Sequence, residues 1–360
     1  MKTIANNWLG RGLESTPELA AGTISQSTGP VREFFADVTG VEPSPLLNLS
    51  ELALELGVGG LYVKDERNRL GLGSFKALGA AYAIAKRAFA KIEAGETNDP
   101  AAALQGTTFA CASAGNHGLS LAEGARMFGA EAVVFVAETV PEAFADRLRG
   151  RGAKVVRAGA IYETSMAEAE RQALEYGWQL LSDSTWPGMT DPGRDVMEGY
   201  LIMGEEIECQ IPEPPTHVFL QAGVGGLAAA CTLSARASWG NDVTITIVEP
   251  EAAPALQASI AAGKPVNAPG PVSTMGRLDC KEPSHLALKY LARQANRFAT
   301  ITDREAEETV SWLKDHDLHT TPSGAAGLSA LHHARGQFDE LGLTSGSRVL
   351  CYLSEGPEQG

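Results

Sequence analysis

Leu61-Tyr62-Val63-Lys64-Asp65-Glu66-Arg67, followed by Gly71-Leu72-Gly73-Ser74-Phe75-Lys76-Ala77-Leu78-Gly79-Ala80, reads as a strand, a glycine-bearing loop and the start of a helix. Leu61 to Lys64 form a short strand-like run closed by three charged residues. Past the loop, Leu78, Tyr82, Ala85 and Phe89 recur at helical spacing. Lys76 therefore falls near a helix start, where the peptide dipoles already present positive charge and a cation is disfavoured. Beside Phe75 and small residues, that placement favours the neutral amine, the form that attacks carbonyl carbons. Gly71 and Gly73 let the backbone come close to a bound group. The simpler alternative is a surface lysine whose stem lies along the helix.

The same strand–turn–helix unit recurs along the chain. Thr107 to Ala112 is an apolar strand, followed by Ser113-Ala114-Gly115-Asn116-His117-Gly118 and a helix through Phe128. Ala132 to Val136 and Lys154 to Val156 read as further strands, and Gln179 to Leu181 as a short one. Helices are expected after Thr139-Val140-Pro141-Glu142, which has capping-box spacing, and near Thr164 to Tyr176. A Gly/Pro-rich bend, Asp183 to Gly193, reads as a domain crossing. The alternation then restarts with the strand Thr216 to Gln221, the loop Gly223-Val224-Gly225-Gly226-Leu227 and a helix from Ala228 to Ser238. Val243 to Glu249 and Arg348 to Leu353 are later strands. Thr302-Asp303-Arg304-Glu305 is a second capping-box pattern, and a buried helix starts at Ser323. Residues 1 to about 40 lack a clean period, Leu46 to Leu56 reads as one helix stopped by Gly57, and Ala268 to Ser284 is a long irregular stretch. Repeated strand–helix alternation implies an α/β fold with parallel sheets.

The 360 residues suggest two domains, and the formal charge of −15 without a dense Lys/Arg cluster excludes a nucleic-acid partner. No apolar run spans a bilayer, so no membrane association is expected. Met1 to Gly10 lacks an apolar core, so no secretory signal is expected either. Cys111, Cys209, Cys231, Cys280 and Cys351 are odd in number and widely spaced, without a Cys-x-x-Cys, which suits a reducing cytoplasm and no metal.

Gly223 to Leu227 can cradle an anion, because glycines expose backbone N–H groups and the helix start adds a positive end. A plain tight turn is the simpler reading. Gly223, Gly225 and Ala228 also satisfy G-x-G-x-x-A, with Glu249 ending the next strand, as a dinucleotide-dependent oxidoreductase requires. Ser113 to His117 can bind a carboxylate while Asn116 donates to a ring oxygen, or Ser113 and Asn116 can simply cap a helix. A dehydrogenase has no need of Lys76; an aldehyde cofactor with a phosphate handle needs the lysine and both loops.

Val63-Lys64-Asp65-Glu66, Ser74-Phe75-Lys76-Ala77-Leu78-Gly79 and Ser113-x-Gly115-Asn116-His117-Gly118 together resemble the fold-type-II pyridoxal-phosphate enzymes, the tryptophan synthase β-like group. The resemblance runs from about Pro45 to Gly356, including Thr274 to Pro283 and Ser323-Gly324-Ala325, and within the family it is strongest to the diaminopropionate ammonia-lyases. It implies pyridoxal 5'-phosphate between two parallel-sheet domains: a large cofactor-binding domain of residues 1–75 and 190–360, and a smaller mobile α/β domain of residues 76–189. It also implies that Lys76 binds the cofactor's aldehyde covalently and later acts as the base. Asn116 would meet the phenolic oxygen, Gly223, Val224, Gly225, Gly226 and Leu227 the phosphate, and Ser354 the pyridine nitrogen. Ser113, Ala114, Gly115, Asn116 and His117 would bind the substrate. The reaction implied is α,β-elimination on a small β-substituted amino acid, 2,3-diaminopropionate first, in a cytoplasmic homodimer. A dehydratase acting on serine, threonine or β-hydroxyaspartate is the alternative within the family. Those ammonia-lyases usually carry an aspartate where Ala114 stands, leaving Asp183 as the expected catalytic acid unless it only caps its loop.

Overall fold

Apolar runs bounded by glycine turns build two sheets. The computed structural model describes residues 1–14, 16, 19, 22–38, 40, 42–113 and 115–357, without the side chains of 36–38 and 163. The strands are β1 (Lys2–Ala5), β2 (Leu46–Asn48), β3 (Gly60–Asp65), β4 (Thr108–Ala112), β5 (Glu131–Val136), β6 (Lys154–Arg157), β7 (Gln179–Leu180), β8 (His217–Gln221), β9 (Thr244–Pro250), β10 (Arg297–Ile301) and β11 (Arg348–Leu353). The larger sheet has the order β1-β10-β9-β8-β11-β3-β2 and the smaller β6-β5-β4-β7. Every pairing is parallel except at the two edges of the larger sheet, where β1 meets β10 and β2 meets β3 antiparallel. Parallel sheets are covered on both faces. β8 is accordingly buried throughout, as are all but the first residues of β9, β10 and β11.

Three local readings change. Leu46 to Leu56 is not one helix: Leu46–Asn48 pairs with β3, and only Ser50–Leu56 is helical, ending on Gly57 at φ +77°. The helix after Thr139 starts at Glu142 behind Pro141 and has no side-chain cap, so Thr139 does not form a capping box. Thr302 does form one with Glu305. The bend after Asp183 ends at Thr190, where the unforeseen helices Asp191–Tyr200 and Ile202–Gln210 begin.

The first of these helices holds the Lys76 element in place. Helix Ala77–Glu93 crosses Asp191–Tyr200 at Gly79 and Gly199, whose Cα atoms come so close that a Cβ on Gly199 would lie 3.2 Å from Gly79 Cα and 2.6 Å from Leu78 O. Phe75 packs edge-on against Tyr200, ring centroids 4.9 Å apart. Lys76 is the N-cap of its helix.

Candidate active site

The strand ends decide the site. Lys76 follows β3, Asn116 follows β4, Asp183 follows β7, Gly223 to Leu227 follow β8 and Ser354 follows β11, each beyond a carboxyl end of a parallel strand, where open α/β sheets bind ligands. All of them line one cleft of about 660 Å³. Ser113, Gly115 and His117 line it too, whereas Ala114 lies outside the described residues.

The loop from 223 to 227 is shaped for an anion. Gly225 sits at φ +103°, a conformation that L side chains avoid, and opens helix Gly226–Trp239, whose first N–H groups have no acceptor inside the helix. A Cβ on Gly223 would lie 3.0 Å from Cys280 Sγ and 3.1 Å from Leu278 Cα, so the loop is pressed against residues 277–280. The rival dinucleotide reading loses its acid here. Glu249 is fully buried and accepts from the N–H groups of Leu256 and Gln257, both at 2.7 Å, capping the next helix; burial raises its pKa to about 8.

Lys76 Nζ lies 2.5 Å from Asp183 Oδ2. Burial pushes the ammonium's pKa down, but the Asp183 carboxylate outweighs burial and the net shift is upward. This corrects the expectation of a neutral amine: in the cofactor-free protein Lys76 is an ammonium paired with Asp183. Burial likewise pulls the Asp183 carboxyl upward, and Lys76 and His117 together bring it well below the usual carboxylate range. Asp183 thus faces the amine rather than only its own loop.

Around Asn116 the turn is tightly bonded. Ser113 Oγ accepts from Gly115 N at 3.1 Å and Gly118 N at 3.0 Å, so this hydroxyl caps the turn and leaves ligand contacts to neighbouring backbone groups. His117 Nε2 donates to Leu181 O at 2.9 Å, and burial lowers its pKa, which keeps the ring neutral. Its buried Nδ1 has no partner among the described residues. Asn116 Nδ2 donates to Glu355 Oε2 at 2.9 Å.

Glu355, Arg277 and Cys280 line the cleft but were not singled out from sequence. Glu355 had a signal, since an acid directly after Ser354 occupies a strand end already marked as functional. Cys280 sits in the long irregular stretch; burial raises its thiol to about 11, so it is not a ready nucleophile. Among the described residues no cluster of His, Cys, Asp and Glu could hold a metal ion, and no helix is long and apolar enough to cross a membrane.

A lysine at a helix start, an anion loop, an amide and a serine hydroxyl on one cleft are the donor set for a phosphorylated pyridine aldehyde, and the residues fit that group. The family model described as pyridoxal-phosphate dependent enzyme matches residues 38–355. The chain belongs to this family. Its cofactor is pyridoxal 5'-phosphate. This pyridoxal-phosphate enzyme is 32% identical over 346 residues to the diaminopropionate ammonia-lyase of Escherichia coli strain K12, covering 90% of this chain and 87% of that protein. The human L-serine dehydratase/L-threonine deaminase is 29% identical over 227 residues, covering 62% of this chain and 67% of that one. The crystal structure of the Escherichia coli ammonia-lyase in complex with an aminoacrylate-PLP azomethine reaction intermediate superposes with a TM-score of 0.85 at 28% identity, over 99% of this chain and 93% of that one.

Proposed function

We propose that Lys76 carries the cofactor's aldehyde, Gly223 to Leu227 receive its phosphate, Asn116 donates to its ring oxygen and Ser354 meets its pyridine nitrogen. One observation supports this most: loops from β3, β4, β8 and β11 open into a single cleft in which Lys76 is paired with Asp183. Bound there, pyridoxal phosphate supplies an aldehyde that links to an amine and a ring that draws electrons from the α-carbon of an attached amino acid. Lys76 Nζ takes the α-proton as general base. The turn from Ser113 to His117 holds the substrate carboxylate through the backbone N–H groups of Asn116 and His117, those of Ser113 and Gly115 being bonded to Phe135 O and Ser113 Oγ. Asp183 handles the proton of the departing β-group. A serine hydroxyl at the pyridine nitrogen stabilises a pyridinium less than a carboxylate does, which suits elimination over reactions that need a long-lived carbanion.

The enzyme is an ammonia-lyase acting by α,β-elimination on a small β-substituted amino acid. The substrate assigned is 2,3-diaminopropionate, which with one water gives pyruvate and two ammonia. Ala114 favours a second reading, because it supplies no acid to face a cationic leaving group: a dehydratase for β-hydroxy amino acids, in keeping with the likeness to the human enzyme. Residues 76–189 act as the smaller, mobile domain, and residues 1–75 and 190–360 as the larger one. The five cysteines, all free, fit a cytoplasmic protein, and its assembly is taken to be a homodimer.

The purified protein is expected to be yellow, to bleach with borohydride and to carry the reduced label on Lys76. A colourless protein that cannot be reconstituted with the aldehyde overturns the reading. Release of 2-oxo acid from D- and L-diaminopropionate, serine, threonine and β-hydroxyaspartate then ranks the substrates. With Asp183 as the acid paired with Lys76 and an alanine at position 114, one diaminopropionate enantiomer is expected to dominate, and activity confined to hydroxy amino acids selects the dehydratase.

A further inference from the structure

Asn116 does not stand alone in the cleft. Glu355, 7% exposed, accepts from Asn116 Nδ2 at 2.9 Å through Oε2 and from Thr321 Oγ1 at 2.5 Å through Oε1. Its own carbonyl accepts from Thr320 Oγ1 at 2.6 Å. A Cβ on Gly324 would lie 2.9 Å from that carbonyl oxygen and 3.1 Å from Glu355 Cγ, so the acid has little room to turn. Gly356 N donates to Gly73 O at 3.0 Å, and Ser74 bridges Glu355 in a short antiparallel contact, which ties the acid to the loop before Lys76. Glu355 is thus fixed beyond β11 of the larger sheet, while Asn116 opens the helix that follows β4 of the smaller one.

An ionised carboxylate only accepts hydrogen bonds, whereas an asparagine amide has one accepting and one donating end of nearly equal shape. The acid therefore decides which end faces it: the NH₂ group. We propose that Glu355 is a positioning residue that holds the Asn116 amide so that its second N–H meets the ring oxygen of pyridoxal phosphate. This rests on the reading above that Asn116 makes that contact. Without the acid, the amide can turn its own oxygen toward the ring oxygen, and the contact becomes repulsive.

The test is the position and pH midpoint of the holoenzyme's visible band. A donated N–H stabilises the ring oxygen most when its negative charge is uncompensated, so losing the donor favours the protonated state and raises the midpoint. Removing the field of a nearby anion lowers it, the opposite sign. Glu355→Asp keeps the charge and gives up reach, so it isolates the positioning effect. Glu355→Asp and Asn116→Ala should both move the band, with the midpoint rising by about one unit. Glu355→Asp in the Asn116→Ala background should then change nothing further. Far-UV circular dichroism and retained cofactor show that each variant is folded. If Asn116→Ala moves the band and Glu355→Asp does not, or if the two effects add, the positioning role is overturned. If Asn116→Ala leaves the band untouched, the ring-oxygen reading fails, and this proposal fails with it.

Discussion

Between Lys76 and Asp183 two opposed effects on one amine are settled by a single contact. Burial alone disfavours the ammonium; the carboxylate at 2.5 Å reverses the sign, and the amine holds its proton above its ordinary value of 10.5. Asp183 moves the other way, below its ordinary 3.8. The stability contributed by Lys76 is complete below 10.5 and is lost as pH rises through the raised folded value. That of Asp183 is complete above 3.8 and is lost as pH falls through the lowered folded value. The pair therefore supports the cofactor-free fold across the whole neutral range. In Asp183→Asn burial loses its main opponent, with the weaker fields of Cys280 and Glu355 remaining, and the amine loses its proton more easily. Reconstitution with pyridoxal phosphate, which needs the neutral amine, should then level off at a lower pH than in the unsubstituted protein. Stopped-flow absorbance across the alkaline range reads this directly, and an unmoved profile takes Asp183 out of control of the amine. Turnover of the holoenzyme should fall about 10²–10⁴-fold, the usual loss for a positioned acid–base group. Lys76 was legible in sequence as a special lysine, but its charge state was not, because Asp183 is 107 residues away.

Among the elements, the loop after β8 separates a glycine needed for shape from one that touches the ligand side. Gly225 combines φ +103° with a Cβ position 3.1 Å from both Ala287 Cβ and Leu256 Cδ1, so a side chain there enters the core. Gly225→Ala should cost about 1–3 kcal/mol of stability from overpacking before any strain is added. Gly226 has room, its Cβ position lying 3.5 Å from Met197 Cγ. Gly226→Asp should leave the melting temperature of the cofactor-free protein nearly unchanged while cofactor affinity collapses, since a carboxylate would share the anion's place. Equal affinity in Gly226→Asp, measured by equilibrium titration, would detach the loop from the phosphate. The strands of this unit were legible because buried parallel strands read as unbroken apolar runs. The helices Asp191–Tyr200 and Ile202–Gln210 were not, because Gly193, Gly199 and Gly204 look like breakers in sequence. A Cβ at those positions would lie 2.5 Å from Ser184 O, 2.6 Å from Leu78 O and 2.2 Å from Ser234 Cβ, so tertiary contact, not helix propensity, chose glycine. The edge strands β1 and β2 were missed because four and three residues are too few to show a period, and the inner strand β10 because Arg297 and Thr300 interrupt its apolar run.

At the scale of the whole molecule, a buried ionic cluster braces the route to Lys76. Arg69 donates to both oxygens of Glu66 and of Glu206, and Lys64 Nζ lies 2.7 Å from Glu206 Oε2 and donates to Ser44 O. The cluster joins β3, the turn Arg69–Gly71 and helix Ile202–Gln210, and next to it Leu70 is held at φ +55°. Glu206→Ala leaves two buried cations short of a partner and should destabilise the fold by about 3–5 kcal/mol, read as a lower urea midpoint. A midpoint within error of the unsubstituted protein would reduce the cluster to decoration. The sheet order carries a further consequence, one of timing. β11 lies between β8 and β3, and its register joins Arg348 to Gly60, 288 positions apart in the chain. By contrast β4 to β7 are contiguous in sequence and can pair early. The larger sheet stays split until its latest strand arrives, so Ser354 and Glu355 reach the cleft after every other proposed contact has been synthesised. The proposed cofactor site is therefore complete only once β11 has joined the two halves of its sheet, and the order of strand docking sets when the cleft can close around a ligand.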